Sequence, residues 1–489
     1  MLLGAVDLGS NSFRVVIARV EGERVVPQSY WKETIRLAGG FDDNGALTPE
    51  AQARALAALA RFRERLSGIP ADRVRAVGTQ AMRAATNAEE FLFKAQEALG
   101  YRIDILSGHE EARLVFKGCA QTLPPSEKRR LIIDIGGAST EFIIGTGTQP
   151  SKCESYRLGC VNTSLRFFPE GRFSSKAFDR AVLACCADLE DSIQAFGEPN
   201  YDEAFGSAGT FGAVSDICVA LGWSDGEVCT EHLEKLRRLL LDAHESKNFR
   251  IDGLKEDRRE VIAGGLAVLT ACYRTLGIKS MRPASGALRI GLLYDLLGRV
   301  EDRDTRDVTI GQLCRTGHID VCQARHVADT ALALFQALKP NASIEERKLL
   351  EWAALLHEVG MTINTSRYHR HGEYIVTYTD MPGFSRRDQD IMAKLILSQR
   401  GNIKKIVPVL GTLVSIEAVL SLRLAVIFMH ARTAPSLPVL AFEHTDDELR
   451  LRMDPVWLNK HPLTDHLLQE ESACWNRIGR KILMERFDG

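Results

Sequence analysis

The chain lacks a charge imbalance. Sixty-two Lys and Arg stand against 64 Asp and Glu, a formal net charge of −2 over 489 residues. There is no global basic field to hold nucleic acid or an anionic membrane surface, so a polyanion site has to come from local clustering of Lys and Arg. Long apolar runs are missing too. None reaches the ~18 residues of a membrane span, and the most apolar late region, 407–429, is broken by Glu417 and Arg423. The N-terminal apolar stretch has no charged n-region and is interrupted by Asp7 and Arg14, so a secretion signal is not expected. No CxxC pair occurs among the eleven cysteines, which argues against a zinc ribbon. In a chain without a signal these thiols are expected to be reduced. What remains is the profile of a cytoplasmic globular protein, 45% apolar and 26% charged, long enough for a few domains.

What is present begins with an internal echo. Residues 4–13 read GAVDLGSNSF and residues 131–140 read LIIDIGGAST. Each runs apolar, apolar, Asp, apolar, Gly, then small polar residues, and each is followed by a β-rich run, RVVIARV and EFIIG. Each unit reads as strand, tight Gly turn, strand. Two such hairpins predict two like-folded halves, a repeat at domain scale.

Between them, Thr48 is placed to cap a helix that starts at Pro49 and carries Leu56, Leu59, Phe62 and Leu66 on one stripe. Strand 74–77, helix 87–99 and strand 103–106 follow, an alternation that predicts an α/β layer. A Pro-rich break spans 124–130. A helix is expected over 178–196, and a third Gly-rich loop, GSAGT, over 206–210. The charged run 302–307 reads as a linker. Beyond it come helices over 322–338, 344–357, 387–398 and 410–432, then a β-leaning tail at 439–442 and 449–453.

The two Asp-Gly hairpins share one chemistry. Gly and small residues (Gly136, Gly137) let backbone N–H groups converge on a phosphate oxygen. Asn11, Ser12, Ser139 and Thr140 add side-chain donors, and Asp7 and Asp134, closing their strands, can hold a hydrated Mg²⁺ beside the phosphate. In GSAGT, Gly206, Ser207, Gly209 and Thr210 form either a plain turn or a third phosphate loop. Arg83, after the 74–77 strand, is a planar donor within reach of a phosphate or else a solvated surface arginine. Glu110 and Glu111 open a helix after a strand. They read either as first-turn acids favoured by the helix dipole or as a carboxylate at a strand end that activates water.

Taken together, DLGSNSFRVVIARV, GTQAMR, LSGHEEARL, IDIGGASTE, RLGCV, GSAGT, SGALR and LHEVG resemble the exopolyphosphatase/guanosine-pentaphosphatase family over essentially the whole chain. The likeness is strongest to its long-form bacterial exopolyphosphatases. It implies two actin-like (ribonuclease H-like) α/β domains at 1–124 and 125–303, a helical HD-like domain at 304–434 and a small α+β domain at 435–489. It also implies Glu111 as catalytic base, Asp134, Glu141 and Asp7 around Mg²⁺ (with room for a monovalent cation), and a homodimer. Ala138 stands where many members have Gly, a small change.

In the third region, LHEVG and HRHGEYI resemble HD-type metal phosphohydrolases, but the pattern is incomplete. Gln323 stands at the expected first His, Glu358 at the Asp after His357, and Val426 at the late Asp, while His371 fits only loosely. A metal site missing these ligands would bind poorly, so a degraded HD-like scaffold is expected.

The leading expectation is processive exopolyphosphatase action on inorganic polyphosphate, with guanosine pentaphosphate (pppGpp, giving ppGpp) as the alternative substrate. A kinase on the same fold needs an acceptor hydroxyl that SGHEEAR does not suggest. A pure polyphosphate or nucleotide sensor gains nothing from a water-activating carboxylate.

Overall fold

The two echoing segments fold as antiparallel hairpins, as their apolar alternation requires. In a computed structural model that describes every residue except 302, 433–436, 439, 445–447 and 488–489, the chain divides into two compact units, Met1–Thr305 and Arg306–Gly489.

In the first unit, β1 (Leu2–Leu8) is buried along all but its first residue. It pairs antiparallel with β2 (Ser12–Glu21), which pairs with β3 (Arg24–Thr34). β4 (Val74–Gly78) joins β1 in parallel and β5 (Ile103–Ile105) joins β4, giving the order β3-β2-β1-β4-β5. The second sheet repeats the plan with β6 (Arg130–Ile135), β7 (Thr140–Thr146), β8 (Gln149–Tyr156), β9 (Glu203–Ser207), β10 (Val228–Cys229) and β11 (Ser280–Pro283), in the order β10-β11-β9-β6-β7-β8. An antiparallel meander followed by parallel strands, reached through helical crossovers, is the actin-like arrangement in both halves.

The Pro49–Arg65 helix begins as its sequence indicates. The Thr48 side chain accepts from the Ala51 N–H, and Ala51, Ala55, Ala58, Leu59 and Phe62 are buried. Two helices are exchanged between the halves. The Gly108–Ala120 helix follows β5 but packs on β7 and β8, whereas the Leu288–Val300 helix follows β11 and returns to β1 and β4. They cross in close contact: a Cβ on Gly118 would collide with the Ala287 carbonyl, and one on Gly291 with that of Leu114.

The second unit is helical, with Val321–Leu338, Ile344–Leu355, Tyr368–Tyr378, Arg386–Ser398 and Ile416–Phe428. A small sheet closes it: β12 (Leu440–His444), β13 (Glu448–Met453) and β14 (Lys481–Arg486), in that order. Val439, expected in a strand, lies outside the described residues. One apolar cluster runs from Ile310 through Trp352 and Phe428 to Trp475 and Met484, so this sheet shares its core with the helices. Among the described residues no helix is long and apolar enough to cross a membrane.

Three expected segments differ. The helix over 178–196 is broken: Ser175–Asp188 stops at Leu189, whose carbonyl is taken by the Ser192 hydroxyl at 2.6 Å, and a short Ile193–Phe196 helix restarts beyond. The charged run over 302–307 does span the division between the two units, but it is not free coil, because its end opens the Thr305–Thr316 helix. Asp302 lies outside the described residues, but Arg306 is buried over the Trp352 ring and Asp307 accepts from Trp352 Nε1 at 2.8 Å. The 410–432 helix shortens to Ile416–Phe428 because the Ser415 hydroxyl caps the Ala418 N–H.

Candidate active site

The tips of the two hairpins meet. A Cβ on Gly137 would lie 3.3 Å from the Asn11 nitrogen and from Ser10 Cβ, so the second loop approaches the first to within van der Waals contact. The second loop is held from behind by the Cys160–Phe167 helix. Cys160 N–H donates to Gly136 O at 3.0 Å and Val161 N–H to Gly137 O at 2.8 Å. Between the tips lies a cleft of about 80 Å³, lined by both loops, four carboxylates and three arginines. That volume holds only about half a dozen water-sized groups, which suits a single phosphoryl group with its solvent. Asn11 Nδ2 and Ser12 Oγ line it as buried donors without a protein partner. Ser139, Gly136 and Gly137 line it from the other side.

The carboxylates come from different elements. Asp7 ends β1, opposite Arg14, and lies 3.7 Å from both Arg14 and Arg289. Asp134 ends β6 and pairs in register with Glu141 on β7, whose Oε1 accepts from Ser155 Oγ at 2.9 Å. Glu111 sits in the first turn of the Gly108–Ala120 helix, which the Ser107 hydroxyl caps. Arg83 Nη1 bridges Glu111 Oε2 at 2.9 Å and the Leu106 carbonyl at 2.8 Å, fixing the carboxylate in place. Burial raises the proton affinity of all four groups. Asp134 is pushed up to about 7 by burial and then by the charge of Glu111. Glu141 is raised by burial and by Glu111 and Asp134. Burial raises Glu111 against the pull of Arg83, and Asp7 against that of Arg14 and Arg289.

Other expected residues are used differently. Arg83 does not line the cleft; it grips Glu111, and its Nη2 is buried without a partner. The Thr140 hydroxyl turns away to the Leu158 carbonyl at 2.5 Å, tying down the RLG segment. Gly206 makes room for the Phe211 ring, and Ser207 Oγ donates to Gly286 O at 3.0 Å. Thr210 is buried against Gly265. Of the third loop only Ala208 and Gly209 reach the cleft, Gly209 because the Arg258 guanidinium lies against it. Glu110 faces away into a buried network with Arg113, Arg75 and Asp295.

Sequence reasoning missed Arg14, Arg258, Arg289 and Thr79, which also line the cleft. Arg14, Thr79 and Arg289 lie within or beside quoted motifs and could have been inferred from them. Arg258, in the solvent-like run KEDRRE, carries no signal.

The donor set fits a hydrated divalent cation. Glu111, Asp134 and Glu141 are each raised in part by a neighbouring carboxylate, an excess of negative charge that a cation would relieve. Yet among the described residues no three His, Cys, Asp or Glu side chains converge closely enough to chelate unaided. A cation held by one or two carboxylates plus water and phosphate oxygens matches the preference of Mg²⁺.

In the second unit, Gln323, His357, Glu358 and Val426 all line one cavity. The positions expected of an HD-type site are thus brought together, but with a glutamine and a valine where metal ligands would stand; His371 is not among its lining residues.

Comparison with known proteins agrees with this architecture. Residues 16–300 match the model of the Ppx/GppA phosphatase family, and residues 305–472 match Ppx/GppA phosphatase, domain III. The chain is 33% identical over 488 residues, covering 99% of it and 98% of its relative, to a protein of Photobacterium profundum named guanosine-5'-triphosphate,3'-diphosphate pyrophosphatase. It is 37% identical over 493 residues (99% and 97%) to the protein of that name in Pseudoalteromonas atlantica. Among solved structures, an exopolyphosphatase from Cytophaga hutchinsonii superposes with a TM-score of 0.56 at 22% identity, covering 61% of this chain and 98% of that one. The chain therefore belongs to the Ppx/GppA phosphatase family and is a hydrolase of phosphoanhydrides.

Proposed function

We propose that this protein removes the terminal 5′-phosphate of guanosine 5′-triphosphate 3′-diphosphate. The observation that carries the reading is full-length similarity, at 33–37% identity, to relatives bearing that activity in their names. The polyphosphate reading ranks second, a reversal of the expectation from sequence, because the exopolyphosphatase likeness lies at 22% identity and speaks for the fold alone.

The reaction breaks the bond between the terminal phosphorus and its bridging oxygen, and a water oxygen takes that place. Glu111, held by Arg83, accepts the proton of the attacking water; its raised proton affinity makes it a better base than an exposed carboxylate. Asn11, Ser12 and Ser139 donate to the phosphoryl oxygens, and Arg14, Arg258 and Arg289 balance their charge. Asp134, Glu141 and Asp7 would hold Mg²⁺. When bound, the ion would neutralise charge on the transferred group and the leaving oxygen.

The test is orthophosphate release from the guanosine pentaphosphate and from long-chain polyphosphate, compared by kcat/KM with and without a chelator. Preference for the nucleotide is expected; a strong preference for the polymer would overturn the substrate assignment. Glu111→Gln should cut kcat by about 10²–10⁴-fold with little change in substrate binding, and near-normal turnover would remove Glu111 from its role.

A further inference from the structure

The second unit contains a cavity of about 520 Å³ that the hydrolytic reaction does not use. Its size lies within the range of small-molecule sites, and its wall carries polar groups with one end committed and the other free. Gln323 Nε2 donates to the Met429 carbonyl at 2.8 Å. Gln399 Nε2 donates to the carbonyls of His357 at 2.6 Å and Ile396 at 3.0 Å. Turning either amide over would set oxygen against oxygen, so the oxygens are the free ends. Both Oε1 atoms are buried without a partner, on residues only 6% and 2% exposed. His357 adds a third acceptor. Its Nδ1 donates to the Ala354 carbonyl at 2.7 Å, and burial keeps the ring neutral, which leaves a lone pair on Nε2. Buried acceptors of this kind call for N–H or O–H donors.

The mouth has the opposite character. Two of the three lining carboxylates are already neutralised, Glu358 by Arg432 and Glu471 by Arg423, each at 2.5 Å. Glu470 lies 3.7 Å from His466. Arg400 is exposed, stacks on Tyr368 with 5.2 Å between guanidinium and ring, and has no carboxylate partner among the described residues. Positive charge is felt close by. Burial, then Lys405, Arg400, Arg370 and Arg423, hold His369 down at about 4. Burial, with Arg423, Arg370 and Arg400, holds Lys405 at about 7 against the pull of Glu373.

We propose that this cavity is a second binding site, for a nucleoside phosphate, with base N–H groups on Gln323, Gln399 and His357 and a phosphate on Arg400. An acceptor-lined interior beneath a cationic mouth matches a molecule that has a donor-bearing ring at one end and negative charge at the other. The inference does not depend on which phosphoanhydride the catalytic cleft cleaves.

The experiment is equilibrium binding of GDP to the full-length protein, with amide hydrogen exchange to locate it. GDP should slow exchange over 396–401 and 423–430. Arg400→Glu, a change on an exposed side chain, should weaken binding at that site by about tenfold or more and leave hydrolysis in the absence of GDP unchanged. Val426→Trp, which fills the cavity, should abolish the protection, with circular dichroism as the check on folding. Protection confined to 9–14 and 136–139, or GDP binding unaltered in Arg400→Glu, would overturn the proposal. So would inorganic phosphate occupying the site as tightly as GDP, since the buried acceptors would then recognise nothing.

Discussion

Glu110 and Glu111 are neighbours in the chain with unlike roles, and only their surroundings tell them apart. Glu111 points to the cleft beside Arg83, whereas Glu110 binds Arg113 through both its oxygens, at 2.7 and 2.8 Å. The family resemblance implied the second acid, Glu111, as the base; the partners of each became visible only when residue 83 was brought next to residue 111. In the proposed mechanism Arg83 is a positioning residue. Arg83→Met should lower kcat by about 10²-fold, as expected when a reacting group is displaced by an ångström, with KM little changed; a change in KM alone would return Arg83 to phosphate binding. His369 offers a separate residue-level test. Burial and nearby cations hold its folded pKa at about 4, below the ordinary imidazole value of 6.5, so the unfolded chain takes up the proton first as pH falls. The stabilisation is whole above pH 6.5 and is lost as pH drops toward 4. The Tm of the second unit should fall across that window, and should fall less in His369→Gln; equal profiles would contradict the assignment.

At the scale of elements, the hairpins and the Thr48-capped helix were legible because each signal is local: an alternation, a cap, a glycine turn. The exchange of two helices was not. Nothing in the periodicity of residues 108–120 says that the helix leaves its own sheet for the next one; that follows from Gly118 and Gly291, which let two helix backbones approach, and from a charged cluster no local pattern announces. Asp295 on the returning helix meets Arg113 at 2.6 Å and pairs with Arg75, and though burial alone would raise its pKa, these arginines with Arg299 and Lys117 hold it well below the usual carboxylate range. Asp295→Ala leaves two buried guanidinium groups short of charge and should cost about 3–5 kcal/mol, measured by urea unfolding. A loss under 1 kcal/mol would mean that Glu110 alone suffices for both arginines.

At the scale of the whole molecule, the division at Thr305 is informative because 98% of the Cytophaga hutchinsonii structure is matched by 61% of this chain. A fragment of residues 1–305 should therefore fold alone, with one cooperative thermal transition; a broad, non-cooperative melt would show that it needs the remaining residues. Within that first unit, the polypeptide passes from one half to the other at 106–107, between β5 and the helix that packs on β7 and β8, and comes back at 284–287, between β11 and the helix that returns to β1 and β4. The atoms by which Gly137 and Asn11 touch are therefore both the seam between the halves and the rim of the cleft.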